Sequence, residues 1–165
     1  MGLSAITVLG VDRPGTIAEV TAVLAGCGAN VEESAVALLG GHVAMMMLVS
    51  GRLPPPSAFP GMAVTVTGVE SRRDLDRAPE GLGYVLTLHG PDRPGVISAV
   101  SAVLAGAGGD ITGMTTRLCG RLYVLVADVR LPEAVDVAGL MCRLAAVAAD
   151  LGSRMAFRPA EPEVL

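Results

Sequence analysis

The residues that invite a chemical reading are Asp12, Arg13, Pro14 and Gly15, followed by Thr16 and Ile17. The chain writes the same run again as Asp92, Arg93, Pro94 and Gly95, followed by Val96 and Ile97. In each copy the aspartate sits where a helix N-cap would, the proline fixes φ in the first turn, and the glycine lets a ligand approach free amides. A helix N-terminus attracts a carboxylate, and a carboxylate side chain beside it can hold an ammonium group. The pair of features suits a zwitterionic amino acid. The same four residues also make a good strand-to-helix turn in their own right, so one isolated copy would carry little weight.

Other chemistry-bearing residues are poorly arranged for catalysis or metal binding. His42 and His89 have no ligand-spaced partners, so no metal site is expected. Cys27, Cys119 and Cys142 lack a Cys-x-x-Cys spacing, and Cys27 and Cys142 fall on helical stripes as small apolar filler. Met45, Met46 and Met47 read as strand filler. Glu32 and Glu33 are neighbours in a strand and point to opposite faces, which rules against a paired acid and base. No nucleotide-binding glycine loop is present. No catalytic residue and no cofactor are expected.

The repeat extends well beyond the loop. Val20, Ala22, Val23, Leu24, Ala25, Gly26 and Gly28 return as Val100, Ala102, Val103, Leu104, Ala105, Gly106 and Gly108, at a constant offset of 80 residues. That period is too long for a solenoid unit and is the size of a small domain. A chain of 165 residues that is 52% hydrophobic can bury a core. Its apolar runs are too short to cross a bilayer, and nothing at the N-terminus resembles an export signal. A reducing cytoplasm is the expected location, and no membrane partner is expected. The net charge of −4 and the absence of tryptophan argue against direct nucleic-acid binding.

Stepping through the elements, residues 3–11 read as a strand and 15–27 as a helix whose stripe is Ile17, Val20, Val23, Leu24 and Cys27. Residues 30–39 and 42–50 form a hairpin about Gly40 and Gly41, and 61–69 hold another strand. Between them, Pro54, Pro55, Pro56 and Pro60 forbid a long helix. The first module thus spans 1–69 with its second helix shortened or absent, and residues 70–82 form a charged linker. The second module, 83–158, repeats the plan with strands at 84–89, 110–118, 121–130 and 154–157 and a helix at 95–107. Its second helix is present at 132–151, with Pro132 placed to start it and Gly152 to end it. Residues 159–165 are an expected frayed tail.

Each module therefore reads as a ferredoxin-like βαββαβ unit, an α+β fold with an antiparallel sheet carrying helices on one face. Residues 45–49 and 124–126 are apolar at consecutive positions, which implies sheet faces buried on both sides, the helix-free face by the other module or another chain.

The pattern Gly-x-Asp-Arg-Pro-Gly, then an apolar helix, then Gly28-Ala29-Asn30-Val31 or Gly108-Gly109-Asp110-Ile111, resembles the ACT domain, an amino-acid-binding regulatory module. Two such modules without a catalytic domain resemble the glycine cleavage system transcriptional repressor family. The resemblance implies effectors bound where the strand-to-helix loop of one module meets the second strand of another. One implied site joins Asp92, Arg93, Pro94, Gly95, Val96 and Ile97 to Asn30 and Val31. The other joins Asp12, Arg13, Pro14, Gly15, Thr16 and Ile17 to Asp110 and Ile111. Asn30 can donate to a ligand carboxylate, whereas an ionised Asp110 would repel it, which favours the first site. The expected effector is a small amino acid, glycine-like or serine-like, in a homodimeric regulator that acts on a partner protein. The other reading is an interaction or oligomerisation module whose ligand pockets are vestigial.

Overall fold

A computed structural model describes residues 2–69 and 81–161. The expected linker falls mostly on 70–80 and the end of the tail on 162–165, both outside the described residues. The chain divides into two compact units, Met1–Arg77 and Ala78–Leu165.

The first unit runs β1 (Leu3–Val11), α1 (Thr16–Gly26), β2 (Asn30–Leu39), β3 (His42–Ser50) and β4 (Ala63–Val69). Its sheet has the antiparallel order β2-β3-β1-β4. Gly40 and Gly41 take φ of 58° and 77°, the two positive values a tight two-residue hairpin needs. Alternate residues of β1 and β3 (Ile6, Val8, Val43, Met45, Met47, Val49) pack under Val20 and Leu24 of α1. The buried stripe of α1 begins at Thr16, with Ile17 left exposed, one position off the expected register. Thr16 can be buried because its hydroxyl donates to the Arg13 carbonyl at 2.9 Å.

The second unit repeats this as β5 (Leu82–Pro91), α2 (Val96–Gly106), β6 (Asp110–Cys119), β7 (Leu122–Leu131), α3 (Val137–Asp150) and β8 (Arg154–Pro159), with sheet order β6-β7-β5-β8. A β-bulge recurs at the same place in the two repeats, between Val31 and Glu33 and between Ile111 and Gly113. α3 starts later than Pro132 suggests. Residues 132–135 close a turn, with the Val135 amide donating to the Pro132 carbonyl at 3.1 Å. Asp136 is the N-cap, accepting from the Gly139 amide at 3.0 Å. β8 continues past residue 157 to Pro159, and the Ala160 amide donates to the Gly83 carbonyl.

Where α3 lies in the second unit, the first has only a single 3-10 turn at Pro56–Ala58, followed by Phe59, whose side chain is buried in the core. The consequence is local. Val66 of β4 is 40% exposed, while Phe157, which pairs at the matching register of β8, is 6% exposed. Within each unit the helices cover one face of the sheet. Met45, Met46 and Met47 are 1%, 56% and 2% exposed, the alternation of a half-covered strand, and Val126 is likewise exposed.

Candidate functional site

The duplicated loops take one conformation. Gly15 and Gly95 stand immediately before their helices at φ of 94° and 90°, a left-handed backbone that makes neither a side-chain cap nor a steric demand. Asp12 and Asp92 are thus not N-caps: the helices start four residues later, and Pro14 and Pro94 lie in the preceding turn. The first intrahelical bonds run from the Glu19 amide to Gly15 and from the Ala99 amide to Gly95, each 2.9 Å. Among the described residues, the amides of Ile17 and Ala18, and those of Ile97 and Ser98, have no backbone partner. A capping side chain would have consumed such donors, and without one they stay open to an anion.

The loops differ in their arginines. Arg13 makes two hydrogen bonds to Glu19, at 2.7 and 2.6 Å. The guanidinium holds the Glu19 carboxyl below the usual carboxylate range, and the carboxylate raises the pKa of Arg13. In the second loop Ala99 replaces Glu19, and Arg93 has no ion-pair partner among the described residues. Asp92, Arg93, Gly95, Val96, Ile97, Ser98 and Tyr123 line a surface depression of about 400 Å³ there. Tyr123 was not among the residues the motif suggests. It reaches the loop because β7 pairs with β5, setting Tyr123 opposite Gly90.

Asn30 and Val31, and Asp110 and Ile111, begin β2 and β6. In the first unit Asn30 and Leu3 both pair with Ser50, whereas Val11, which leads into the loop, pairs with His42 at the far end of β3. Eight strand steps separate the two ends, roughly 27 Å. The loop and the second strand of one unit are therefore not brought together within that unit, and the same holds for Pro91 and Asp110 in the second. Asn30 is exposed opposite Ser50, and Asp110 is exposed opposite Arg130. No group of His, Cys, Asp and Glu suited to a metal ion occurs among the described residues. No helix among them is long and apolar enough to cross a membrane.

Residues 5–70 match the family model of the ACT domain. The first unit is similar to the ACT domain over nearly its whole length. The second unit repeats the sequence motif and the sheet order of the first. A stretch of 46 residues is 46% identical to the glycine cleavage system transcriptional repressor of Escherichia coli K12, covering 28% of this chain and 24% of that relative. The repressor of Shigella flexneri matches to the same extent. The match thus spans about a quarter of these relatives' length. A solved structure of an unknown protein from Galdieria sulphuraria is similar along the whole chain, with TM-score 0.78, 28% identity, and coverage of 97% of this chain and 99% of that one. A second, provisionally named a glycine cleavage system transcriptional repressor, shares the fold with TM-score 0.69 at 16% identity, covering 97% and 98% of the two chains.

Proposed function

We propose that this chain is a tandem ACT-domain protein and a non-enzymatic cytoplasmic sensor of a small amino acid, glycine-like or serine-like, and that it passes the bound state to a partner protein in transcriptional or metabolic regulation. The observation that carries the reading is the uncapped start of α2. There the amides of Ile97 and Ser98 and the guanidinium of Arg93, all without a partner among the described residues, stand in one loop with the exposed carboxylate of Asp92. The amides and Arg93 take the ligand carboxylate and Asp92 its ammonium. Because the second strand lies at the opposite end of its own sheet, Asn30 and Val31 complete this site from a different module, and Asp110 and Ile111 do so for the first loop. A homodimer supplies the modules, with the exposed apolar residues Leu9, Val11, Leu39 and Met46 available for packing against a second copy.

Charge-assisted hydrogen bonds contribute roughly 1.5–3 kcal/mol each, and association costs at least about 4 kcal/mol. Two or three such contacts give a dissociation constant on the order of micromolar to millimolar, suited to a metabolite pool. The test is a thermal-shift screen of the full chain against the common amino acids, followed by calorimetry. A raised melting temperature for one or a few small amino acids is expected, and Asp92→Ala should weaken that binding by about tenfold or more. Unchanged affinity would remove Asp92 from the site. A flat screen would favour an interaction or oligomerisation module with vestigial pockets, a reading to which the closed Arg13–Glu19 pair in the first loop already lends support.

A further inference from the structure

The two sheets share a backbone plan, yet their helix-free faces carry opposite chemistry. In the second sheet Arg117 pairs with Val124, Val124 with His89, and His89 with Arg154, so these residues form one row across all four strands. Three strand spacings make that row about 14 Å long. The same row of the first sheet is Ala37, Ala44, Leu9 and Ala63. At the adjoining hairpin turn Arg121 replaces Gly41, and His89, Arg121 and Arg154 together line a depression of about 660 Å³. Arg158 extends the charge two steps along β8 on the same face. His89 and these arginines are all exposed, and none forms an ion pair among the described residues.

We propose that this row and the turn beside it are the docking surface for an acidic, aliphatic segment of a partner protein. The inference rests on the regulatory reading above and names the place where the bound state is passed on. Arg117 and Arg154 stand at the two ends of the row, so one segment laid across the strands can bring a carboxylate to each. The row supplies no carboxylate; the face's aspartate, Asp128, sits two steps further along. All twelve basic residues of the chain are arginine, the side chain that grips carboxylates through two parallel hydrogen bonds. Between the cations the face offers Leu122, Val124 and Val126, aliphatic surface that a peptide can cover and a phosphate backbone cannot use. With no Phe, Tyr or Trp on that face and a net charge of −4, nucleic acid is the poorer fit. A second copy docking the same face would set arginine against arginine. An extended segment laid across the strands projects side chains four residues apart at about 13 Å, which matches the span of the row.

Fluorescence polarisation of the full chain with a labelled ten-residue peptide, Glu-Ser-Leu-Ser-Glu-Ser-Val-Ser-Glu-Ser, which when extended puts glutamates four residues apart and the leucine and valine on one face, tests this. Saturable binding is expected, weakened at least tenfold by Arg117→Glu with Arg154→Glu, and weakened less by Arg117→Gln with Arg154→Gln. Far-UV circular dichroism checks that both variants fold. Affinity unchanged by charge reversal, equal binding of a lysine-for-glutamate peptide, or tighter binding of duplex DNA or anionic phospholipid vesicles would each overturn the proposal. The amino-acid thermal shift, read on the same variants, separates the two readings. Its persistence in a charge-reversed chain that no longer binds peptide supports the assigned surface. Arginine-dependent peptide binding in a chain that responds to no amino acid keeps the surface and ends the sensor.

Discussion

Arg13 and Arg93 hold the same place in the two loops, and what separates them is the residue six positions on. Glu19 engages Arg13 through both carboxylate oxygens, whereas Ala99 leaves Arg93 without that partner. Installing the pair with Ala99→Glu is therefore expected to occupy Arg93 and weaken amino-acid binding at the second loop by about tenfold, one charge-assisted contact, as read by calorimetry. The existing pair has its own signature. Glu19 titrates lower when folded than when unfolded because Arg13 hydrogen-bonds its charged form. Its contribution to stability is thus present above the unfolded pKa and is lost as pH falls through the lower, folded one. Both side chains are about half exposed, at 53% and 50%, so the effect is small. Denaturant melts of the wild type and Glu19→Gln should differ at neutral pH and converge in strong acid. A difference that survives protonation would assign Glu19 a role other than pairing.

At the scale of the element, the loop conformation depends on one left-handed glycine. Around Gly95 there is room for a Cβ, so Gly95→Ala meets no neighbour and its cost is purely that of the backbone at φ 90°, roughly 1–2 kcal/mol. Gly106, at the other end of α2, has the same open surroundings with no positive φ, and Gly106→Ala should be neutral or stabilise by up to about 0.5 kcal/mol through helix propensity. Urea melts of the two variants should move in opposite directions or, at the least, only Gly95→Ala should fall. These glycines were readable in the sequence because they punctuate a change from strand to helical period, and the hairpin at Gly40 and Gly41 was readable for the same reason. Helix starts were less so. Aspartate and glycine are both good N-caps, and nothing in Asp12-Arg13-Pro14-Gly15 says that the chain will use the glycine. In α3 the choice went the other way, to Asp136 over the nearer Pro132, because Gly139 leaves room for the carboxylate to reach its amide. The buried stripe of α1 slipped to Thr16 since a hydroxyl satisfied by the Arg13 carbonyl counts as apolar. The site residues of the loop were visible as a twice-written motif; Tyr123 was not, being close only once the hairpin folds back.

For the whole molecule, duplication has produced two cores of unequal completeness. The first unit buries Ile6, Val8, Val20, Leu24, Val43, Met45, Met47, Val49 and Phe59, all from its own elements. The second adds a helix, and with it Leu140 and Leu144, to the corresponding set. Each core draws only on its own unit, so each should respond to its own cavities. Leu104→Ala, in a fully buried position of the second core, is expected to cost about 2–5 kcal/mol. Met47→Ala should cost a similar amount in the first. The chain contains a probe that tells them apart: it has no tryptophan, and its tyrosines, Tyr84 and Tyr123, both lie in the second unit. Tyr84 is stacked on Phe157 with ring centroids 4.8 Å apart, so its near-ultraviolet signal reports tertiary order there. Leu104→Ala should lower the midpoint seen by tyrosine. Met47→Ala should leave that midpoint in place while far-ultraviolet circular dichroism, which reports both sheets, loses part of its amplitude at lower temperature. If Met47→Ala moved the tyrosine midpoint as far as Leu104→Ala does, the two units would be one cooperative block. The small first core would then owe its stability to the larger one, despite drawing every buried side chain from its own unit.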